Sequence, residues 1–261
     1  MKCFIILPCY NEEENLEKLL KSIDKTLRDN FPYHVIAVND GSSDGTGKTL
    51  KKLSLKYPIT LVEHSRNRGL SEALKTGFKT VLGKLSDEDY VVVMDSDNTH
   101  DPKYIPLMVH AANNFDVVIG SRYIRNGKQI NVPPHRILMS WTVNRLIGLL
   151  LKVNIKDFTS GYRCFKASTI KKLFNIFGEK LIESNGFEVS FEILLKTLAC
   201  ESKIGEIPIT LNYGLKNGRS KMKSLPTIFK YTRLLLNLKN KLRKIVREKE
   251  SCRLFFPNFS V

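Results

Sequence analysis

The chain has 261 residues, 42% apolar and 26% charged, which suits one large α/β domain with an extension, or two small domains, and excludes a disordered chain. No stretch approaches the roughly 18–20 apolar residues that a membrane span requires; the run Leu146 to Leu151 is far too short. The formal charge of +16 is uneven: Lys216 to Arg253 holds thirteen Lys/Arg against two Glu, leaving about +5 elsewhere, so this segment calls for an anionic partner.

The first half alternates between strand and helix patterns. MKCFIILPCYNEEEN has an apolar core too brief for a signal peptide and turns acidic at once, so a cytosolic chain is expected. Residues 2–8 read as a buried strand. Glu12 to Arg28 read as a helix, with Leu16, Leu19, Leu20 and Ile23 on one face. Residues 34–40 form a second strand, and Asp44 caps a helix running to about Lys56. Residues 59–65 form a third strand, Leu70 to Leu82 a third helix, and 89–95 a fourth strand. A helix follows from Pro102, then a fifth strand at 116–122. Apolar strands separated by helices predict a mostly parallel sheet covered on both faces.

The second half is less regular. Residues 137–153 read as an apolar helix, 160–168 as a short strand running into a helix, Phe187 to Cys200 as a helix, and 203–211 as a strand. Leu225 to about Glu248 reads as a long basic amphipathic helix. The domain expected is 1–224, with 225–261 as a basic extension. Cys3, Cys9, Cys164, Cys200 and Cys252 are odd in number, scattered and without a CxxC pair, which fits packing thiols in a reduced compartment.

In a parallel α/β sheet, ligands sit outside the carboxyl ends of the strands. Three strands of this chain end in polar chemistry: Pro8-Cys9-Tyr10-Asn11-Glu12, Asn39-Asp40-Gly41-Ser42-Ser43-Asp44, and Asp95-Ser96-Asp97. Two carboxylates one residue apart repel unless a cation joins them. Hard oxygen ligands favour Mg²⁺ or Mn²⁺, and Mg²⁺ is commonly held by one or two carboxylates plus substrate phosphates. Asp95 and Asp97 are therefore metal-ligand candidates. Asp40, at a strand terminus, can accept hydrogen bonds from the edge of a nucleobase.

PCYNEEENL, VNDGSSDGT, GLSEALKTGF, DSD, GSRY, DFTSGYRCFK and EIPITL occur in this order. Together, over about residues 3–224, they resemble glycosyltransferase family 2, and within it the dolichyl-phosphate mannose synthase and polyprenyl-phosphate glycosyltransferase group. The resemblance implies a GT-A fold. It implies that Pro8, Tyr10, Glu12 and Asp40 line the base and ribose pocket. It puts Asp95 and Asp97 at the metal and diphosphate, and Arg122 and Arg136 near the sugar phosphate and acceptor phosphate, with Ser140 matching in the same stretch. The implied reaction is inverting transfer of a hexose from GDP-mannose, or second UDP-glucose, to a polyprenyl phosphate.

The chain departs from that group twice. Where the group often has a glutamine two residues after the second aspartate, this chain has Thr99, with His100 beside it as a packing residue. Where the group often has an acceptor-site arginine, this chain has Gly214, with Lys216, Arg219 and Lys221 as candidates to replace it. If the acceptor were instead a sugar hydroxyl of a glycan or glycolipid, a carboxylate base would be required, with Asp157, Glu188 and Glu192 as candidates. A non-catalytic nucleotide-sugar binder is the reading from another class, and the intact DSD argues against it. The 137–151 helix and the basic 225–247 helix fit a membrane surface. Nucleic acid does not fit, because no recognition motif or interleaved aromatic platform accompanies the basic residues.

Overall fold

The computed structural model describes residues 1–186 and 188–215. Its strands are β1 (Cys3–Cys9), β2 (Tyr33–Asn39), β3 (Ile59–Glu63), β4 (Tyr90–Val93), β5 (Val117–Ser121), β6 (Lys128–Ile130), β7 (Arg163–Lys166), β8 (Ile204–Pro208) and β9 (Thr210–Asn212). Its α-helices are α1 (Glu13–Leu27), α2 (Thr46–Ser54), α3 (Leu70–Leu82), α4 (Ile105–Ala111), α5 (Pro134–Leu151), α6 (Ala167–Phe177) and α7 (Val189–Ala199). The 225–247 helix and the 225–261 extension lie outside the described residues.

Seven strands form one sheet in the order β3-β2-β1-β4-β7-β5-β8. Only β7 runs antiparallel, paired to β4 on one side and β5 on the other. The apolar runs explain this layout, because a sheet covered on both faces needs strands that are hydrophobic on both sides. Phe4, Ile6, Ile36, Val38, Val91 and Val93 point to one face, where α3, α5, α6 and α7 supply Phe78, Ile147, Leu173 and Leu194. Ile5, Leu7, Val35, Ala37 and Val92 point to the other, where α1, α2 and α4 supply Leu19, Leu50 and Met108. Phe78 meets Phe165 edge-on at 6.0 Å between ring centroids, a favoured aromatic geometry.

The chain leaves β1 for β2 in one direction and reaches β4 on the other side of β1. That reversal opens a crevice at the carboxyl ends of β1 and β4. Asp40 and Asp95 follow the ends of β2 and β4, on the same edge.

Three details differ from the sequence reading. The strand expected at 203–211 splits in two: β8 joins the large sheet, and β9 pairs with β6 in a separate two-stranded sheet. Pro208 lacks the N–H needed to continue a ladder, and Ile209 turns inward to a buried position. Strand β6 (Lys-Gln-Ile) is too short and polar to carry a strand signal. Helix α5 starts at Pro134 rather than residue 137, because a proline fits the first helical turn.

Helix α5 has no acidic residue in its first turn and two kinds of apolar surface. Val143, Ile147 and Leu151 are buried. Leu138, Trp141 and Leu149 are 63%, 50% and 69% exposed. No helix among the described residues is long and apolar enough to cross a membrane. Cys3, Cys9, Cys164 and Cys200 are free and buried, as packing thiols should be, and Cys252 lies outside the described residues.

Candidate active site

The three polar strand ends are stitched together by side chains from their own loops. Asn11 sits in the left-handed region at φ 52. Its N–H donates to Ser42 Oγ at 3.0 Å, and its Oδ1 accepts the Ser43 N–H at 2.9 Å. The Glu12 N–H donates to Thr46 Oγ1 at 2.8 Å, and Glu12 Oε2 accepts from Asn15 Nδ2 at 2.6 Å. Asn98, also left-handed at φ 64, donates to the Asn15 carbonyl and side-chain oxygens. The loop after β1 thus bridges the loops after β2 and β4. Asp44 Oδ1 takes the Thr46 N–H at 3.0 Å, but the residue that caps α2 is Gly45 and not Asp44 as expected.

Asp40 is buried at the end of β2. Its Oδ1 accepts from His64 Nδ1 at 2.6 Å and from the Arg68 N–H at 3.0 Å. Its Oδ2 accepts the Gly69 N–H at 2.8 Å. The 64–69 loop passes so close that a Cβ on Gly41 would lie 2.1 Å from the Arg66 carbonyl carbon. Gly41 also holds φ +63, so that position requires glycine twice over.

Asp95 and Asp97 face different surroundings. The Asp95 side chain is half-exposed, while Asp97 is buried. Asp97 Oδ1 accepts both the N–H and the hydroxyl of Thr99, at 3.1 and 2.6 Å. Thr99 therefore braces Asp97 from within its own turn. His100 Nδ1 accepts the Asp95 N–H at 3.1 Å, and its ring stacks on Tyr162 at 4.8 Å, so it packs as expected. Among the described residues no cluster of three or more His, Cys, Asp or Glu side chains could hold a metal. Two carboxylates alone still fit Mg²⁺ or Mn²⁺, which leave the remaining positions to phosphate and water.

Arg122, just past β5, is a firmly anchored cation. Its Nε and Nη2 each reach Asp157 at 2.7 Å, its backbone N–H reaches Asp157 Oδ2 at 3.0 Å, and Nη2 also donates to Thr159 at 2.7 Å. Burial alone lowers the guanidinium pKa, but Asp157 outweighs it and the net shift is upward. Asn144 of α5 donates to Thr159 Oγ1 at 3.2 Å and accepts the Phe158 N–H at 2.7 Å. The Tyr123 hydroxyl donates to Ser140 at 2.7 Å. Sequence reasoning missed Thr159, Asn144 and Tyr123, which are ordinary polar residues until the fold brings them together.

All of these strands and loops open on one cavity of about 470 Å³. Pro8, Tyr10, Glu12, Asp40, Asp95, Asp97, Arg122, Arg136 and Ser140 all line it. Of the three carboxylates named as possible bases, none is presented to it. Asp157 is committed to Arg122 and also takes the Ser160 N–H at 3.0 Å. Glu192 is wholly buried, paired with Lys196 at 2.5 Å, and accepts the N–H groups of Glu183 and Ser184. Glu188 is absent from the lining. The spacing of Glu188 and Glu192 does not bring them to the cleft, because α7 turns that face into the core. Gly214 follows β9, and Lys216, Arg219 and Lys221 lie outside the described residues.

A mostly parallel sheet whose acidic strand ends share one cavity at the reversal point has the GT-A fold, and solved structures agree. The Mycobacterium tuberculosis glucosyl-3-phosphoglycerate synthase, crystallised with Mn²⁺, uridine diphosphate and glucosyl-3-phosphoglycerate, superposes with a TM-score of 0.64. That match covers 90% of this chain and 79% of the other at 17% identity. Residues 4–174 match the model of glycosyl transferase family 2, and the chain belongs to that family. It is 38% identical over 245 residues to the dolichol-phosphate mannosyltransferase of Pyrococcus furiosus, covering 91% of this chain and 64% of that protein. It is 34% identical over 212 residues to the undecaprenyl-phosphate mannosyltransferase of Micrococcus luteus, covering 80% of this chain and 83% of that protein.

Proposed function

We propose that the chain is an inverting glycosyltransferase that moves a hexose, mannose in first place, from a nucleotide diphosphate sugar to a polyprenyl phosphate. The donor is GDP-mannose first and UDP-glucose second. The observation that carries the reading is the convergence of Asp95, Asp97, Arg122 and Arg136 with Pro8, Tyr10, Glu12 and Asp40 on one cavity. The names of the Pyrococcus and Micrococcus relatives support the acceptor class and the sugar.

Asp95 and Asp97 would hold Mg²⁺ or Mn²⁺, which supplies charge neutralisation at the departing diphosphate. Arg122 has its Nε and Nη2 taken up by Asp157 and Thr159, so Nη1 is the nitrogen left for a phosphate oxygen. Arg136, in the first turn of α5, supplies a second guanidinium on the cavity wall. Nη1 of Arg122 and the guanidinium of Arg136 would together hold the acceptor phosphate in line behind the anomeric carbon. A phosphate monoester has a second pKa of about 6 and is already an anionic nucleophile at neutral pH. No general base is then required, in keeping with the commitment of Asp157 and Glu192 to other partners.

The exposed Leu138, Trp141 and Leu149 of α5 support peripheral attachment to a bilayer beside the cavity. The double substitution Leu138→Ser and Leu149→Ser is expected to lower partitioning onto anionic vesicles by at least about tenfold, because each side chain buries roughly 1.5–3 kcal/mol of apolar surface. Co-sedimentation with vesicles measures it; unchanged partitioning removes α5 from the membrane contact.

The function is tested by incubating the protein with Mn²⁺ or Mg²⁺, dolichyl or undecaprenyl phosphate, and labelled GDP-mannose or UDP-glucose. Label moving into the organic phase with one donor is the expected result. Metal-dependent donor hydrolysis without lipid product would transfer the acceptor to a glycan.

A further inference from the structure

His64 is in none of the motifs that mark the site, and it does not line the cavity. It follows β3, and its backbone N–H donates to the Asn39 carbonyl at 2.9 Å. Its side chain is only 6% exposed, wedged between Asp40 and α3. Nδ1 lies 2.6 Å from Asp40 Oδ1, and Nε2 lies 2.9 Å from the hydroxyl of Thr76 on α3. A carboxylate only accepts hydrogen bonds, so Nδ1 carries a proton, while Nε2 is held by a hydrogen bond with the Thr76 hydroxyl. The three groups form a chain, Thr76 to His64 to Asp40, running from the helix to the cavity wall.

The chain has a consequence for Asp40. A carboxylate has about four acceptor directions, two on each oxygen. On Oδ1, His64 and the Arg68 N–H occupy both. On Oδ2, the Gly69 N–H occupies one. One acceptor direction on Oδ2 is left for a ligand. Without His64, Oδ1 would regain a vacant direction, and the carboxylate could rotate away from the cavity.

We propose that His64 is the positioning residue of the donor-base subsite: through its bond to Asp40, braced by Thr76, it aims the remaining Asp40 lone pair at a single N–H donor of the nucleobase. This rests on the reading of the cavity as a nucleotide-sugar site. His64 touches neither donor nor acceptor, so its effect falls on nucleotide affinity and not on the bond-making step.

The test uses the full chain with UDP, GDP and inorganic pyrophosphate as probes in the presence of Mn²⁺. His64→Ala is expected to weaken the better-bound nucleotide about tenfold or more, the size of one lost hydrogen bond to a charged group. Pyrophosphate affinity is expected to stay within twofold. In turnover, the donor KM rises while kcat holds. His64→Asn, whose amide can take the place of Nδ1–H, restores most of the affinity, and Thr76→Val falls between the two. Unchanged nucleotide affinity in His64→Ala, with the parent binding normally, overturns the proposal alone. Parallel loss of pyrophosphate binding, or failure of His64→Asn to recover a correctly folded site, also overturns it by making His64 merely structural. A parent chain that binds neither nucleotide removes the donor-site reading itself.

Discussion

Asp97→Asn is expected to lower kcat/KM by about 10³-fold or more, equivalent to about 4 kcal/mol of lost transition-state stabilisation. The asparagine keeps an oxygen where Asp97 Oδ1 accepts the Thr99 N–H and hydroxyl, so the turn survives. What is lost is the negative charge that would face the cation. Asp97→Ala removes both, and should add a loss of folding stability that Asp97→Asn does not share. The decisive measurement is initial rate against Mn²⁺ concentration for both variants, alongside thermal unfolding. Activity of Asp97→Asn within tenfold of the parent at saturating metal would remove Asp97 from the metal site.

Asp157→Ala should be the most damaging change outside the cavity lining. It strips Arg122, partly buried on the cavity wall, of its bidentate partner, and a charge left alone in a site with little solvent costs up to about 3–5 kcal/mol of stability. Chemical denaturation at neutral pH measures that loss directly. Activity should fall by about 10²-fold as well, because Arg122 would no longer hold its set position. Acid pH separates the cause. Burial alone raises the Asp157 pKa, but the Arg122 charge and its hydrogen bonds outweigh it and hold the carboxyl below its ordinary value. The pair therefore stabilises the fold fully above an unfolded carboxylate pKa of about 4, and that contribution is lost as pH falls through the depressed folded value. Asp157→Ala should lose less stability on acidification than the parent; an identical acid limb would contradict the strength assigned to the pair.

The parallel sheet was legible because its strands are unbroken apolar runs of the required length. The VVVM run before Asp95 could only be buried on both faces, and Leu70 to Leu82 was readable to the residue because Gly69 and Gly83 flank it. Asp40, Asp95 and Asp97 were legible in the cavity lining for the same reason, because polar residues placed directly after such strands have one edge of the sheet to occupy; Arg136 and Ser140, on α5, were marked only by the family resemblance. What stayed hidden depends on contacts distant in sequence. Strand β6 exists only because residues 128–130 meet β9 from some 80 residues later. The commitment of Asp157 to Arg122 spans 35 residues, and no local pattern distinguishes a paired carboxylate from an available one. Glu188 and Glu192 were named as candidate bases, but which way α7 faces is set by Lys196 and the 180–184 segment packed over it.

The antiparallel strand β7 sets the order in which the molecule can be made. Strand β5 joins the sheet only through β7 on one side and β8 on the other. A ribosome that has released β1 to β4 has therefore delivered a four-stranded half-sheet with an open edge along β4. The far side of the cavity cannot be laid down until residues 163–166 fill that edge, and it is complete only when β8 emerges, roughly 115 residues after β4. At typical elongation rates of 5–20 residues per second, that is an interval of about 6–23 s. During it Arg122 and Arg136 are made, but their wall has no completed sheet to rest on, and until β7 arrives the acidic strand ends lie beside an edge that another strand could occupy first.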